Sequence, residues 1–506
     1  MRFLAIGCLA FLAASPALAA GPLADCEGHD AVLVEQGCSA VLSAGQTMQS
    51  LDFEAYYNRA LAELTLQKPD AAMQDALAGI ALNPDNGPVH LALARAYLAL
   101  NQPAKALDAV NSAVILSPND PGAYVLLGEL ELARGNWQAS IADQNRALQH
   151  DPSSAEAYMA RAMAEVAGGN IKASWADANQ AAALGSTDSR IHLIRGLAAA
   201  SSGNWSVALV EENQYLAQAP GNVYALLARS QARLNLGDAA GALKDIDHAI
   251  MMVPDAPNLY MQRAAVDDAM GQYQTEITDL TTVINAASHN NATDLLYRTL
   301  ILRGQVYQQI GQKEAALADA TRAMTVSPKA PEAYLLHATL ERANGNLAMA
   351  LVDDNKAIAL DPTYIPAYTD RSTIYGLQHN YKAAAADEAS ILKLQPHSAP
   401  DLNNLCWFLA LEGQVSPALG YCQQALAITP HDAATLDSTG FVYLKLKDAE
   451  QSVQYYTQAL KADPKMASSL YGRGLAEQML GDQAKAADDI ALAKKYDPNV
   501  EKDFGT

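Results

Sequence analysis

The chain has 506 residues, half of them hydrophobic, yet aromatics make up only 6% and the formal net charge is -21. That charge argues against a nucleic-acid partner, because phosphate binding relies on Lys and Arg, and against an anionic membrane surface. Beyond the first residues no apolar run approaches the roughly 20 residues a membrane-crossing helix needs, so no stable membrane insertion is expected, and small side chains must do much of the packing.

Taken in chain order, residues 1–20 read as a signal peptide: Arg2 supplies a short positive end, Phe3 to Ala14 is apolar, and Ala17-Leu18-Ala19 forms an A-x-A cleavage site. The expected location is therefore periplasmic or secreted. Cleavage removes Cys8 and leaves Cys26, Cys38, Cys406 and Cys422 in a compartment where thiols can pair. Residues 21–52 contain "CEGHDAVLVEQGC", bounded by Cys26 and Cys38, and read as an N-terminal cap built from a degenerate half-repeat.

From residue 53 onward a 34-residue period dominates. Pro84, Pro118 and Pro152 mark it first, then Pro220 and Pro254, then Pro328, Pro362, Pro396, Pro430, Pro464 and Pro498, with Ser186 and Ser288 where two prolines are missing. Between Ser288 and Pro328 the spacing is 40, which places six extra residues near "SHNNATD". The result is seven units over residues 53–288 and six over 289–498, with a bend or sub-domain boundary expected near residues 285 to 297.

Counting each proline as position 32, position 8 is small in all thirteen units, as in Gly128, Ala162, Ser372, Cys406 and Gly474. Position 20 is Ala or Ser except in the seventh unit, which has Glu276. A turn signal such as Gly135-Asn136 or Gly169-Asn170 separates the two columns, with helical apolar spacing on either side. Each unit thus reads as two antiparallel helices approaching closely where only small side chains fit.

Two further columns are coupled. Eight units carry Arg at position 7, and all eight carry an acid at position 23, among them Arg161 with Asp177, Arg229 with Asp245 and Arg263 with Asp279. These positions lie opposite one another across the turn and predict a structural ion pair inside each unit, which if exposed contributes only ~0 to 1 kcal/mol. A rival reading makes the Arg column a clamp for an anionic ligand, but each Arg already has a local acid. Cys406 at position 8 and Cys422 at position 24 both point into the seam between two helices, so a disulfide is expected there in preference to two free buried thiols.

The unit length, the small columns, Tyr124, Tyr158, Tyr260, Tyr334 and Tyr368 at position 4, and Ala at position 27 as in Ala113 and Ala147 resemble the tetratricopeptide repeat. The run from "LNNLCWFLALEG" to "DSTGFVYLKLKD" resembles terminal units of exported bacterial repeat proteins. The resemblance implies an all-α fold, a right-handed superhelical solenoid of antiparallel helix pairs. It also implies a concave groove lined by positions 2, 5, 6, 9, 12 and 13 of each first helix. Carried over unit by unit, those positions hold Asn403, Asn404, Trp407, Asp437, Phe441 and Tyr471, with Tyr57, Tyr224, Gln231, Arg298, Gln305 and Arg342 further back. Trp407 and Phe441 either anchor a ligand or pack neighbouring helices.

The function implied is a scaffold that binds a protein or extended peptide. The alternatives are an accessory factor for secretion or assembly of an envelope polymer such as polysaccharide, and a purely structural spacer. The sequence has no G-x-x-x-x-G-K-[ST], H-E-x-x-H or G-x-S-x-G motif and no metal-ligand spacing, so neither catalysis nor a metal or cofactor is expected. Residues 499–506, "NVEKDFGT", form a tail too short for a covering helix, which predicts an uncovered apolar face on the last unit and self-association through it.

Overall fold

The computed structural model of the protein describes residues 20–45 and 48–504. Residues 1–19, which make up nearly all of the expected signal peptide, lie outside the described residues. Among the described residues there are 28 α-helices, one short 3-10 helix and no strand.

The fourth unit shows why these sequences make helix pairs. Its first helix, Ala155–Ala167, starts where the Ser154 side chain accepts a hydrogen bond from the Ala157 N–H. It stops where Gly169 takes φ +76°, a left-handed conformation open to glycine at little cost. Asn170 then caps the second helix, Ile171–Ala183, by accepting from the Ala173 N–H. Ala162, Ala178 and Ala181 are fully buried between the two helices, and Ser174 at position 20 donates to the Ala162 carbonyl at 2.8 Å. The six residues from each proline to the position 4 aromatic also acquire a reason. Tyr124, Tyr334 and Tyr368 donate their hydroxyls to the carbonyls of Pro118, Pro328 and Pro362 at 3.1, 3.2 and 3.3 Å, so each unit's first helix is tied to the end of the unit before it.

The chain forms two compact halves, one ending at Asp255 and the other beginning at Ala256, and each is a stack of such helix pairs. This division falls between the sixth and seventh units. The six extra residues sit between the seventh and eighth units. They lengthen two helices, Tyr273–His289 and Thr293–Gln309, to 17 residues each against 13 or 14 in most others. Ile284 and Leu300, at ordinary repeat positions, are buried in one cluster, and Leu296 from the added turn packs against it.

Within the units the Arg column makes forked contacts. Arg59, Arg161, Arg229, Arg263, Arg303, Arg371 and Arg473 each donate Nε and Nη2 to the two carboxylate oxygens of the position 23 Asp, at 2.5 to 2.9 Å. The remaining Nη1 reaches back to position 25 of the preceding unit, to Asn145 from Arg161, Asn213 from Arg229 and Thr281 from Arg303. One side chain therefore sets the hairpin and joins it to its neighbour. Arg195 is the exception: it donates to Asn179 at 3.0 and 2.8 Å, because His192 has taken Glu211 at 2.7 Å. In the ninth unit His337 replaces Arg and holds Asp353 at 2.7 Å.

Both cysteine pairs are disulfides, Cys26 to Cys38 and Cys406 to Cys422. The first joins the two cap helices Ala20–Cys26 and Ala31–Ser43, and the second crosses the seam of the eleventh unit. Reducing Cys406–Cys422 closes no loop in the unfolded chain and is expected to cost about 3 kcal/mol. Urea midpoints of the Cys406→Ala, Cys422→Ala variant and the wild type measure it; equal midpoints would make the bond dispensable.

A row of acids is buried where the repeat needs none. Glu212 is fully buried against Gly196, with neither carboxylate oxygen hydrogen-bonded among the described residues. Burial pushes its pKa up to about 8. Asp354 is pushed up to about 8 and Glu63, Glu165, Glu276 and Glu388 up to about 7, burial being the largest cause in each. The native state therefore keeps protons that the unfolded chain has released near pH 4.5, so stability falls as pH rises from about 5 to 8, by at most ~1.4 kcal/mol per unit for Glu212. The hydrogen bond from His337 to Asp353 raises that imidazole's pKa as well, and its contribution is lost as pH rises above about 6.5. Melting temperature against pH checks the sign, and Glu212→Gln is expected to flatten the curve.

Candidate functional site

In the C-terminal half the first helices of the tenth to thirteenth units are Ile365–Leu377, Ala399–Leu411, Ala433–Lys445 and Ala467–Leu480. Their positions 5, 6, 9, 12 and 13 come together on one wall. Trp407 is half-buried, its ring centroid 4.8 Å from that of Phe441. Phe441 is only 1% exposed and Tyr471 7%. Asn404 hydrogen-bonds Glu388, whose Oε1 also accepts from Ser372 Oγ at 2.6 Å. Asp437 accepts from Ser469 Oγ of the next unit. Asn403 is half-buried beside them.

Two cavities open along this wall. One, of about 420 Å³, is lined by Phe441, Leu444, Lys445, Leu475, Gln478 and Met479, with Phe504 at its side. The other, of about 580 Å³, lies over Thr369, Thr373, Asn404, Trp407 and Leu411, with Lys502 at its rim. Lys445 Nζ sits 5.0 Å over the Phe441 ring, placing a cation beside the first cavity.

Phe504 was invisible to the repeat columns. Residues Val500–Phe504 form the 3-10 helix, with Val500 1% and Phe504 4% exposed. The Phe504 ring lies 5.4 Å from Phe441 and 5.1 Å from Tyr471. The tail thus covers part of the apolar surface expected to be bare on the last unit. It covers concave aromatics, and the exposed residues of the last helix, Gln483–Tyr496, mix Gln483, Lys485, Asp488, Lys494 and Lys495 with Ala484, Ala487, Ala491 and Tyr496. Met479, Leu480 and Tyr496 are 49%, 50% and 43% exposed, so apolar surface remains on the last unit.

The other sequence candidates do not join this wall. Arg298 is exposed and pairs with Asp294 at 3.1 Å in its own helix, and Gln305 is exposed on the same helix. Arg342 is engaged with buried Asp370 at 2.8 Å and ties the ninth unit to the tenth. In the N-terminal half, Tyr57 is half-buried and Gln231 is exposed. Tyr224, 50% exposed, borders a separate cavity of about 390 Å³ with Met163, Val166, Leu193, Leu197 and Asn222. Met163 and Leu197 stand at position 9, the same column as Trp407, and that column was the signal available for them. Arg195, the arginine without its acid, lines a further cavity of about 490 Å³ beside Lys172 and the exposed ring of Trp175.

Among the described residues no helix is long and apolar enough to cross a membrane, and no group of three or more His, Cys, Asp and Glu stands where it could hold a metal ion. No curated protein matches the sequence. Among solved structures it is similar to YrrB, described as a TPR protein with an unusual peptide-binding site, at 20% identity over 37% of this chain and 96% of that one, TM-score 0.31. It is also similar to the Cut9-Hcn1 hetero-tetramer of APC/C, at 14% identity over 92% and 98%, TM-score 0.37, and to pilF of Pseudomonas aeruginosa, at 18% identity over 42% and 98%, TM-score 0.36. Identities this low say nothing of function. The tetratricopeptide-repeat family matches at residues 53–86, 93–165, 301–365 and 442–500, and over those segments the chain carries tetratricopeptide repeats.

Proposed function

We propose that the protein is an exported, non-catalytic scaffold that binds a protein or extended peptide on the concave wall of its last four units. The observation that carries this reading is the convergence of Trp407 and Phe441 with Asn404 and Lys445 around two open cavities. Aromatic anchors beside amides and a cation are the chemistry that interfaces favour, and the separate first-helix wall gives an extended chain room to lie along successive repeats. Export is supported by the A-x-A segment and by two disulfides, which persist in oxidising compartments.

The test is affinity capture after crosslinking in the native compartment, comparing wild type with a Trp407→Ala, Lys445→Glu variant. Phe441 is left intact because it is core. A protein retained by the wild type and lost from the variant, at unchanged melting temperature, is the expected result. An identical set of retained proteins would remove this wall as the binding site.

A further inference from the structure

Five residues near the chain's end occupy part of the wall just described, and how they do so indicates what else fits there. Of Val500–Phe504, Val500 and Phe504 are buried, while the charged Glu501 and Lys502 between them are half-buried and exposed. Phe504 inserts its ring between Phe441 and Tyr471, position 9 of one unit and position 5 of the next. It fills no more than its own seat, since the two cavities of about 420 and 580 Å³ remain open beside it and beside Lys502. At the surface Lys494 pairs with Glu501 at 2.7 Å, both side chains nearly half exposed.

We propose that Val500–Phe504 is an internal occupant of the peptide groove, and that the partner is a peptide of the same chemistry, an aliphatic residue followed one turn later by Phe, which displaces it. This deepens the proposed function and rests on it. Two buried side chains are set against the ordering of five residues, terms of similar size, so the docked and released tails lie close in free energy. Tethering gives the tail an effective concentration in the roughly millimolar range, enough to exclude weak or mismatched segments while yielding to one that also fills the neighbouring cavities. A tail docked about nine-tenths of the time lowers the apparent affinity of a competing peptide about tenfold.

The experiment titrates a fluorescein-labelled peptide of sequence NVEKDF into the full chain and reads anisotropy. Phe504→Ala is expected to bind it about tenfold more tightly than wild type, and a peptide whose Phe is replaced by Ala is expected not to bind. Phe504→Leu, which keeps an apolar side chain in the seat, is expected to fall between the two and serves if Phe504→Ala loses its wild-type melting temperature. Equal binding to wild type and folded variant would overturn the proposal, as would no binding to either variant. Neither outcome touches the broader reading, which fails only if the Trp407→Ala, Lys445→Glu variant retains every partner.

Discussion

Arg303→Leu is expected to destabilise the C-terminal half by about 3–5 kcal/mol, the cost of leaving a buried carboxylate without its partner. Asp319 is 4% exposed, and Arg303 grips it with Nε and Nη2, both at 2.7 Å. The third contact, Nη1 to Thr281 Oγ1 at 2.7 Å, extends the damage to the preceding unit. Removing both charges in Arg303→Leu, Asp319→Leu is expected to restore most of the loss, since a buried ion pair and an apolar pair of similar volume are often near equal. Arg298→Leu, which breaks an exposed pair with Asp294, is expected to change stability by less than ~0.5 kcal/mol. Chemical denaturation of the four proteins checks this. The pairs lie at the inter-helix seam, so breaking one costs far more than forming it contributes.

The second large effect is expected from Gly472→Ala. In an exposed helix the change would stabilise by about 1 kcal/mol. Here an added Cβ would lie 2.2 Å from Tyr456 Cζ and 2.3 Å from its Oη. Tyr456 cannot retreat, because it is fully buried and its ring already abuts Gly440, where a Cβ would meet Cδ1 at 2.8 Å. Overpacking then outweighs propensity, and a net loss of ~3 kcal/mol is expected. The same substitution in a Tyr456→Leu background is expected to cost much less, a non-additivity that marks direct contact. Melting curves of the single and double variants measure it; additive effects would mean the ring moves freely.

What was legible in the sequence was whatever repeats. Small residues at position 8, Arg at 7 with Asp at 23, and proline at 32 recur often enough that chance cannot produce them, and each reports a contact within about sixteen residues. Contacts outside the period were hidden. Nothing in "NVEKDFGT" shows that Phe504 seats on Phe441. Nor does the column logic show that His192, standing where tyrosine usually does, diverts Glu211 from Arg195. The Nη1 contacts to position 25 were missed because that position belongs to the preceding unit. Six extra residues suggested a bend or a sub-domain boundary; they continue the two flanking helices, with Leu296 of the added turn packed against the cluster that holds Ile284 and Leu300.

The groove itself is tested most directly by site-specific photo-crosslinking in the native compartment. One probe replaces Thr373, exposed on the wall of the larger cavity, and another replaces Gln424, exposed on the second helix of the eleventh unit. A discrete crosslinked partner from position 373 and none from position 424 is the predicted result. The same products from both positions, or products from position 424 alone, would contradict a concave binding site.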